Sequence, residues 1–334
     1  DPSTFQALYI YPKDSFWSLR MLSTPRKNGT FTLQALPETR TDEWWSKVVN
    51  APREHVGNNR GEGIRVAVID TGAGPHRDLA VVGGQNFTDT GSPAEYADVD
   101  QHGTHVSGII RANGSLVGIA PACELYAGRV FPSSEEGAAN DDIAEAIVTA
   151  VDTWKCDILN MSLGGEYDEL LEDRIDYATQ KGSLCVVAAG NSSGAVEYPG
   201  ALKNSFCVAA VGQRGHYPGD SIHVDAEPLT PGLFGADGLY AAEFTCRGAE
   251  VDACAPGVAV ISTVPGNVYA AFDGTSMATP IVSGVAALVL SKSRDIMKQP
   301  RDQVRTTALR SKIESVLDDI KLPVDFQGKG FSRI

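Results

Sequence analysis

Residues 64–72 read IRVAVIDTG, an apolar, β-branched run broken only by Arg65 that ends on Asp70 and turns at Thr71-Gly72. A run so short and so uniformly apolar fits a strand buried on both faces. Downstream the pattern alternates between strand-like runs, LYAGRV (125–130), CDILNMS (156–162) and SLCVVAAG (183–190), and helix-like stretches, HVSGIIRA (105–112), DDIAEAIVTAVDTW (141–154) and ELLEDRIDYATQKG (169–182). Such alternation implies βαβ units, hence an α/β, doubly wound architecture with a mainly parallel sheet flanked by helices. In 141–154, Ile143, Ala146, Ile147, Ala150, Val151 and Trp154 share one helical face, and Asn140 is the expected cap.

Outward from this centre the periodicity fades in two places. Residues 213–243 are rich in Gly, Pro and Asp and read as an exposed loop insertion. Residues 1–43 carry strand-like runs, LYIYPKDSFWSLRML and GTFTLQAL, but are few for an independent domain. They read as a surface element or a propeptide remnant, leaving 44–334 as one large domain. RDQVRTTALRSKIESVLDDIK (301–321) reads as a closing amphipathic helix.

Composition narrows the function classes. The net charge of -14 would repel a phosphate backbone, and no Lys/Arg cluster offsets it, so nucleic acid is not an expected partner. No apolar stretch is long enough to span a bilayer, so no membrane partner is expected either. The six cysteines, at 123, 156, 185, 207, 246 and 254, form no CxxC pair and no zinc-like spacing, so no metal is assigned. Cys156, Cys185 and Cys207 sit in apolar runs, which leans towards a reducing, cytoplasmic compartment. The chain starts at Asp1 without a leader-like segment, and a secreted protein with an upstream segment removed stays open.

Three glycine-flanked motifs fall where strands end or helices begin: VAVIDTG at Asp70, QHGTHVSGI at His102 and DGTSMATPIVSGVAALVL at Ser276. A hydrolase needs a nucleophile, a base and a carboxylate to orient the base, and these residues can supply them. Singly, each has an ordinary reading: Asp70 as a turn residue, His102 as a structural histidine, Ser276 as a helix cap.

DTG, HGTHVSG, SLGG, AAGN and GTSMATP, in that order, resemble the subtilisin-like serine proteases from about Trp44 to the C-terminus. The resemblance implies catalysis by Asp70, His102 and Ser276, with Asn191 as an oxyanion-hole donor and His105 as a structural neighbour of the base. It implies that extended peptide binds along Ser162, Leu163, Gly164 and Gly165, with Ala188, Ala189 and Gly190 as the opposite wall and Glu166 at the edge. It also implies a cis peptide at Tyr198-Pro199. The expected partner is a peptide or protein substrate, handled by a monomer without a required cofactor.

Two departures matter. RANGSLVGIAP (111–121) is shorter than the loop that wraps calcium in relatives and offers few side-chain oxygens, so calcium is not expected there. Asp89, Asp98 and Asp100 are the alternative acidic group, otherwise solvated. Glu166, Asp168, Glu135 and Glu136 are either a basis for Lys/Arg preference or plain surface acids. His55, His76, His216 and His223 read as surface residues. Two other functions share the fold: a peptide-joining transferase, for which 213–243 is the only lid candidate, and a non-catalytic peptide binder.

Overall fold

In the computed structural model, which describes residues 7–13, 16–22, 43–217, 219 and 221–334, the opening run is an interior strand of the main sheet. Strand Arg65–Asp70 lies between Glu124–Arg129 and Ile158–Met161 and is parallel to both. Gly83–Asn86 extends the sheet on one side, and Leu184–Ala188, Ser205–Gln213 and Val251–Pro256 extend it on the other, each parallel to the next in this row. The chain thus fills one half of the sheet and then returns to fill the other. The reversal falls at the carboxyl end of Arg65–Asp70, where an open α/β sheet leaves a crevice.

Side chains of this strand alternate between two apolar layers. Val66 and Val68 join the layer that includes Val106, Ile109 and the buried helix Thr275–Ser291. Ala67 and Ile69 join the layer of Ile143 and Ile147 from helix Asn140–Asp152 and Ile175 from helix Glu169–Gln180. A period of two in the strand therefore separates two helical layers. This is the doubly wound arrangement expected from the sequence.

Several local expectations change. Helix Asn140–Asp152 begins at Asn140 itself, with Ala139 in the cap position and no side-chain cap. The Asn140 amide instead donates to Asp168 at 2.8 Å, and Asp168 caps the next helix by accepting from Leu171 N at 3.1 Å. Trp154 falls beyond the helix end and stacks on Tyr126. The helix expected over 301–321 is Gln303–Glu314; Leu317–Asp318 turns instead into a short strand antiparallel to Phe331–Ser332.

Segment 213–243 is not simply exposed. It returns as strand Leu239–Ala241, antiparallel to Ser205–Gln213, and buries His223 and Tyr240. Of the N-terminal 43 residues, Ala7–Lys13 and Phe16–Leu22 pair as an antiparallel hairpin. The strand expected within 29–36 lies outside the described residues. All six cysteines are buried and unpaired. Among the described residues no helix is long and apolar enough to cross a membrane.

One ion pair ties the last long helix to the sheet. Arg305, 1% exposed, donates to Asp157 Oδ1 at 2.6 Å, and Arg301 reaches the same oxygen at 3.0 Å. Asp157 Oδ2 accepts from Arg65 N at 3.0 Å, which anchors the start of the central strand. Removing one partner of such a buried pair leaves an uncompensated charge. Asp157→Ala is therefore expected to lower the unfolding free energy by about 3–5 kcal/mol, read from urea denaturation monitored by Trp fluorescence.

Candidate active site

Asp70 and His102 come from elements that the sheet brings together at its carboxyl edge. Asp70 Oδ1 accepts from Thr71 N at 2.7 Å and lies 2.8 Å from His102 Nδ1, at the start of helix His102–Arg111. Both side chains are buried. A carboxylate only accepts, so Nδ1 carries the proton and Nε2 is left with its lone pair. Within the protein Nε2 has no hydrogen-bond partner. Burial disfavours the imidazolium, but the charge and hydrogen bond of Asp70, backed by Asp100 and Asp98, outweigh it and raise the His102 pKa.

Close approach of strand and helix depends on Gly103. A Cβ there would lie 2.0 Å from Gly72 O. Asp98 fastens the same junction, and this corrects its reading as a solvated acid. It is half-buried, accepting from Thr71 Oγ1 at 2.8 Å, from Thr104 N at 2.7 Å, and from the Thr104 hydroxyl. Thr71 Oγ1 in turn accepts from Gly103 N at 2.8 Å. Asp98 belongs to the frame around Asp70 and His102, and burial pushes its pKa up to about 6. Asp89 remains exposed, and among the described residues Asp89, Asp98 and Asp100 form no metal-holding cluster.

Ser276 is docked to the neighbouring strand end. Val68 pairs with Asn160, so Asp70 and Ser162 leave the sheet side by side. Ser276 Oγ donates to Ser162 O at 3.2 Å, and Ser162 Oγ donates back to Ser276 O at 2.9 Å. The Ser162 side chain is thus buried against Ser276 rather than open to the cleft. The nucleophile candidate and His102 Nε2 are not hydrogen-bonded to each other.

Asn191 follows strand Leu184–Ala188. Its Oδ1 accepts from Thr275 N at 2.9 Å and from Thr275 Oγ1 at 3.0 Å. A backbone N–H can only donate, which fixes the amide orientation and leaves Nδ2 to point elsewhere. Ser276 N and Asn191 Nδ2 lie 3.6 and 3.8 Å from one point, the place a Cβ on Gly274 would occupy. Two donor nitrogens therefore lie near one small space at the start of a helix, where a developing negative charge is favoured.

Beside these groups runs a cleft of about 590 Å³. Leu163, Gly164, Gly165 and exposed Glu166 line one side, and Glu197, Tyr198 and Pro199 the other. The Tyr198–Pro199 peptide is cis. Ala188, Ala189 and Gly190 do not line the cleft but stand behind it: Glu197 N donates to Ala189 O at 2.9 Å and Gly190 N to Thr275 Oγ1 at 3.2 Å. Asp70, His102, Ser276 and Asn191 do not line this cleft; Ser276 is linked to it through Ser162, the neighbour of Leu163.

Other histidines separate clearly. His105 is fully buried, stacked on Phe272 at 4.2 Å and 3.1 Å from Ala270 O, and burial drives its pKa down to about 3. His76 and His223, read as surface residues, are buried. His223 Nδ1 binds Asp273, 2.7 Å from Oδ1, and so pins the 213–243 segment to the turn before Ser276. Sequence reading missed Thr71, Thr275 and Glu197; the first two are neighbours of motif residues, which was the available signal.

The Asp98 carboxyl gives a measurable linkage. Its pKa is raised in the folded state, so between about pH 4 and 6 the folded chain holds a proton that the unfolded chain has released. Stability contributed by Asp98 thus falls as pH rises through this window. The deficit of Asp98→Asn relative to the parent is expected to be largest near pH 4 and to shrink by on the order of 2–3 kcal/mol by about pH 7. Urea unfolding at a series of pH values checks this.

Comparison with known proteins agrees with the geometry. Residues 61–330 match Peptidase_S8, the Subtilase family. M-protease of Shouchella clausii (strain KSM-K16) is 38% identical over 271 residues, covering 79% of this chain and 64% of that protein. Subtilisin Savinase of Lederbergia lenta is 37% identical over 271 residues, 79% of this chain and 90% of that protein. Alkaline elastase YaB of Bacillus sp. (strain YaB) is 38% identical over 283 residues, 83% of this chain and 66% of that protein. The chain thus spans just under two thirds of the length of M-protease and of the elastase. With a family match over most of its length and these relatives, the chain belongs to the subtilase family.

Proposed function

We propose that this chain is a serine endopeptidase that cleaves peptide bonds through an acyl-enzyme, with Asp70, His102 and Ser276 as its triad and Asn191 as an oxyanion-hole donor. The observation that carries this reading is the buried 2.8 Å contact of Asp70 with His102 Nδ1, which leaves Nε2 as an unpartnered base at the same sheet edge as Ser276. The names of the relatives, protease, subtilisin and elastase, support it.

In this reading Ser276 Oγ leaves its weak bond to Ser162 O and attacks the substrate carbonyl carbon while His102 Nε2 takes its proton. Asp70 holds the tautomer and stabilises the imidazolium. The carbonyl oxygen becomes an oxyanion received by Ser276 N–H and Asn191 Nδ2. His102 then protonates the leaving amine, and the C–N bond breaks. Water, deprotonated by the same histidine, attacks the acyl carbon and releases Ser276. All proton transfers run through side chains of this chain.

Ser276→Ala is expected to lower kcat on a peptide substrate by about 10⁶ and to abolish labelling by a fluorophosphonate. Asn191→Leu keeps the triad but loses one oxyanion donor, so kcat should fall about 10²–10³-fold with little change in KM. Catalysis needs neutral His102, whose pKa is raised above 6.5, so kcat/KM should rise with pH with a midpoint above 6.5. Asp70→Asn should distort that acid limb.

A further inference from the structure

The turn that delivers Ser276 carries a second contact between a histidine and a carboxylate, unused by the chemistry above. Asp273, three residues before Ser276, and His223 are both buried. Asp273 Oδ1 accepts from Ala259 N at 2.6 Å and lies 2.7 Å from His223 Nδ1, which is also 2.9 Å from Oδ2. A carboxylate only accepts, so Nδ1 is the donor. Gly274 N donates to Gly257 O at 2.8 Å, so the turns 257–259 and 273–274 are laced together around the Asp273 carboxylate. Among the described residues no Lys or Arg pairs with that carboxylate, and His223 is its basic partner. Loss of one partner from such a site leaves the other's polar group uncompensated.

His223 is itself braced within 213–243. Its ring lies 5.9 Å from that of Tyr217, whose hydroxyl donates to Glu227 Oε1 at 2.7 Å, and Arg214 Nε donates to Glu227 Oε2 at 2.7 Å. The end of the segment grips the other half of the site. Glu243 N donates to Ala226 O at 2.9 Å, while Ser193, two residues after Asn191, donates through Oγ to Glu243 O at 2.7 Å and through N to Phe244 O at 2.9 Å. One segment therefore holds the chain before Ser276 through His223 and the chain after Asn191 through Glu243.

These are the two stretches that carry the oxyanion donors. Thr275 joins them, its amide and hydroxyl both on Asn191 Oδ1. A shift of 273–275 thus moves Ser276 N, Ser276 Oγ and Asn191 together. The cleft walls are held separately, by the pairing of Gly165 with Tyr198. Such a shift therefore acts on groups that meet the transition state and leaves substrate binding in the cleft largely alone.

We infer that His223 is a positioning residue: through Asp273 it fixes the 273–275 turn, so that the 213–243 segment must be docked for Ser276 and its oxyanion donors to be aligned. This rests on the proposed peptidase reading, and His223 takes no part in the proton transfers. The test compares His223→Ala and His223→Asn with the parent, each at a concentration set by end-point fluorophosphonate titration. Asn places its Nδ2 where His places Nδ1, so it keeps the donor to Asp273 and loses only the rest of the ring. The Ala variant is expected to lose about 10–100-fold in kcat with KM within about twofold of the parent. The Asn variant should recover kcat to within about threefold of the parent. An unchanged kcat in the Ala variant, a loss carried by KM, or an Asn variant as slow as the Ala variant would overturn the assignment.

A second measurement uses the parent and does not depend on the Ala variant folding. Coupling between sites is reciprocal, so a pair that aligns Ser276 must respond when Ser276 is modified. In protein carrying isotope-labelled histidine, with the His223 ring signals assigned by their loss in His223→Asn, those signals are expected to shift on phosphonylation of Ser276. Signals unmoved by complete labelling would also overturn the assignment. A parent that labels and cleaves while the His223 variants match it refutes only the role of His223, whereas a parent that does neither refutes the peptidase reading and this inference with it.

Discussion

A carboxylate and an imidazole can share a dry site only if their geometry is held tightly enough to offset the water both have lost. Here the two belong to different elements, a strand end and a helix start, and the 2.8 Å contact survives because the junction between them is over-determined. Asp98 ties Thr71 to Thr104 from inside, Thr71 holds Gly103, and the absence of a side chain at Gly103 lets the turn carbonyl of Gly72 come close. Ser262 and Thr263 hold the same helix from outside by donating to the carbonyls of His105 and Thr104 at 2.7 and 3.0 Å. The sheet supplies the position; this polar frame supplies the orientation.

The Ser276 side is built on a different principle. Helix Thr275–Ser291 is buried from Thr275 to Leu290, so it has almost no freedom to shift without disturbing the apolar layer around it. Its first residue, Thr275, binds Asn191 through both its amide and its hydroxyl. The side-chain donor and the backbone donor facing the same space are thereby positioned by one residue. Rigid packing and two hydrogen bonds give preorganisation without any mobile part.

Much of this was legible in the sequence because each chemical group sits in a short local motif whose glycines and small residues mark strand ends and helix starts. The alternation from Ile64 to Gly190 gave the layers for the same reason: burial on both faces writes itself as an apolar run. What stayed hidden depends on contacts distant along the chain. Asp98 looked solvated because nothing near it in sequence announces that Thr71 and Thr104 converge on it. His223 looked exposed because its partner, Asp273, is 50 residues away. Glu197 lies in an unremarkable VEYPG stretch, and its place among the residues that line the cleft goes with the distant pairing of Gly165 with Tyr198. The end of helix Gln303–Glu314 was misjudged because a strand partner at 331–332 competes for Leu317 and Asp318.

The edge of the sheet beyond Val251–Pro256 is completed by Phe331, paired with Cys254, and the residues just after it reach back to the opposite end of the domain: Asn50 donates to Ile334 O at 2.8 Å across 284 positions. During synthesis the chain emerges from its N-terminal side, so the Asn50 side chain lacks this partner, and strand Val251–Pro256 keeps an open edge, until residues 331–334 have left the ribosome. Such far-reaching contacts return their free energy only after a long loop has been closed. The domain therefore passes its nascent life with an unfinished hydrogen-bonding edge, a state in which association with another strand competes with completion of its own sheet.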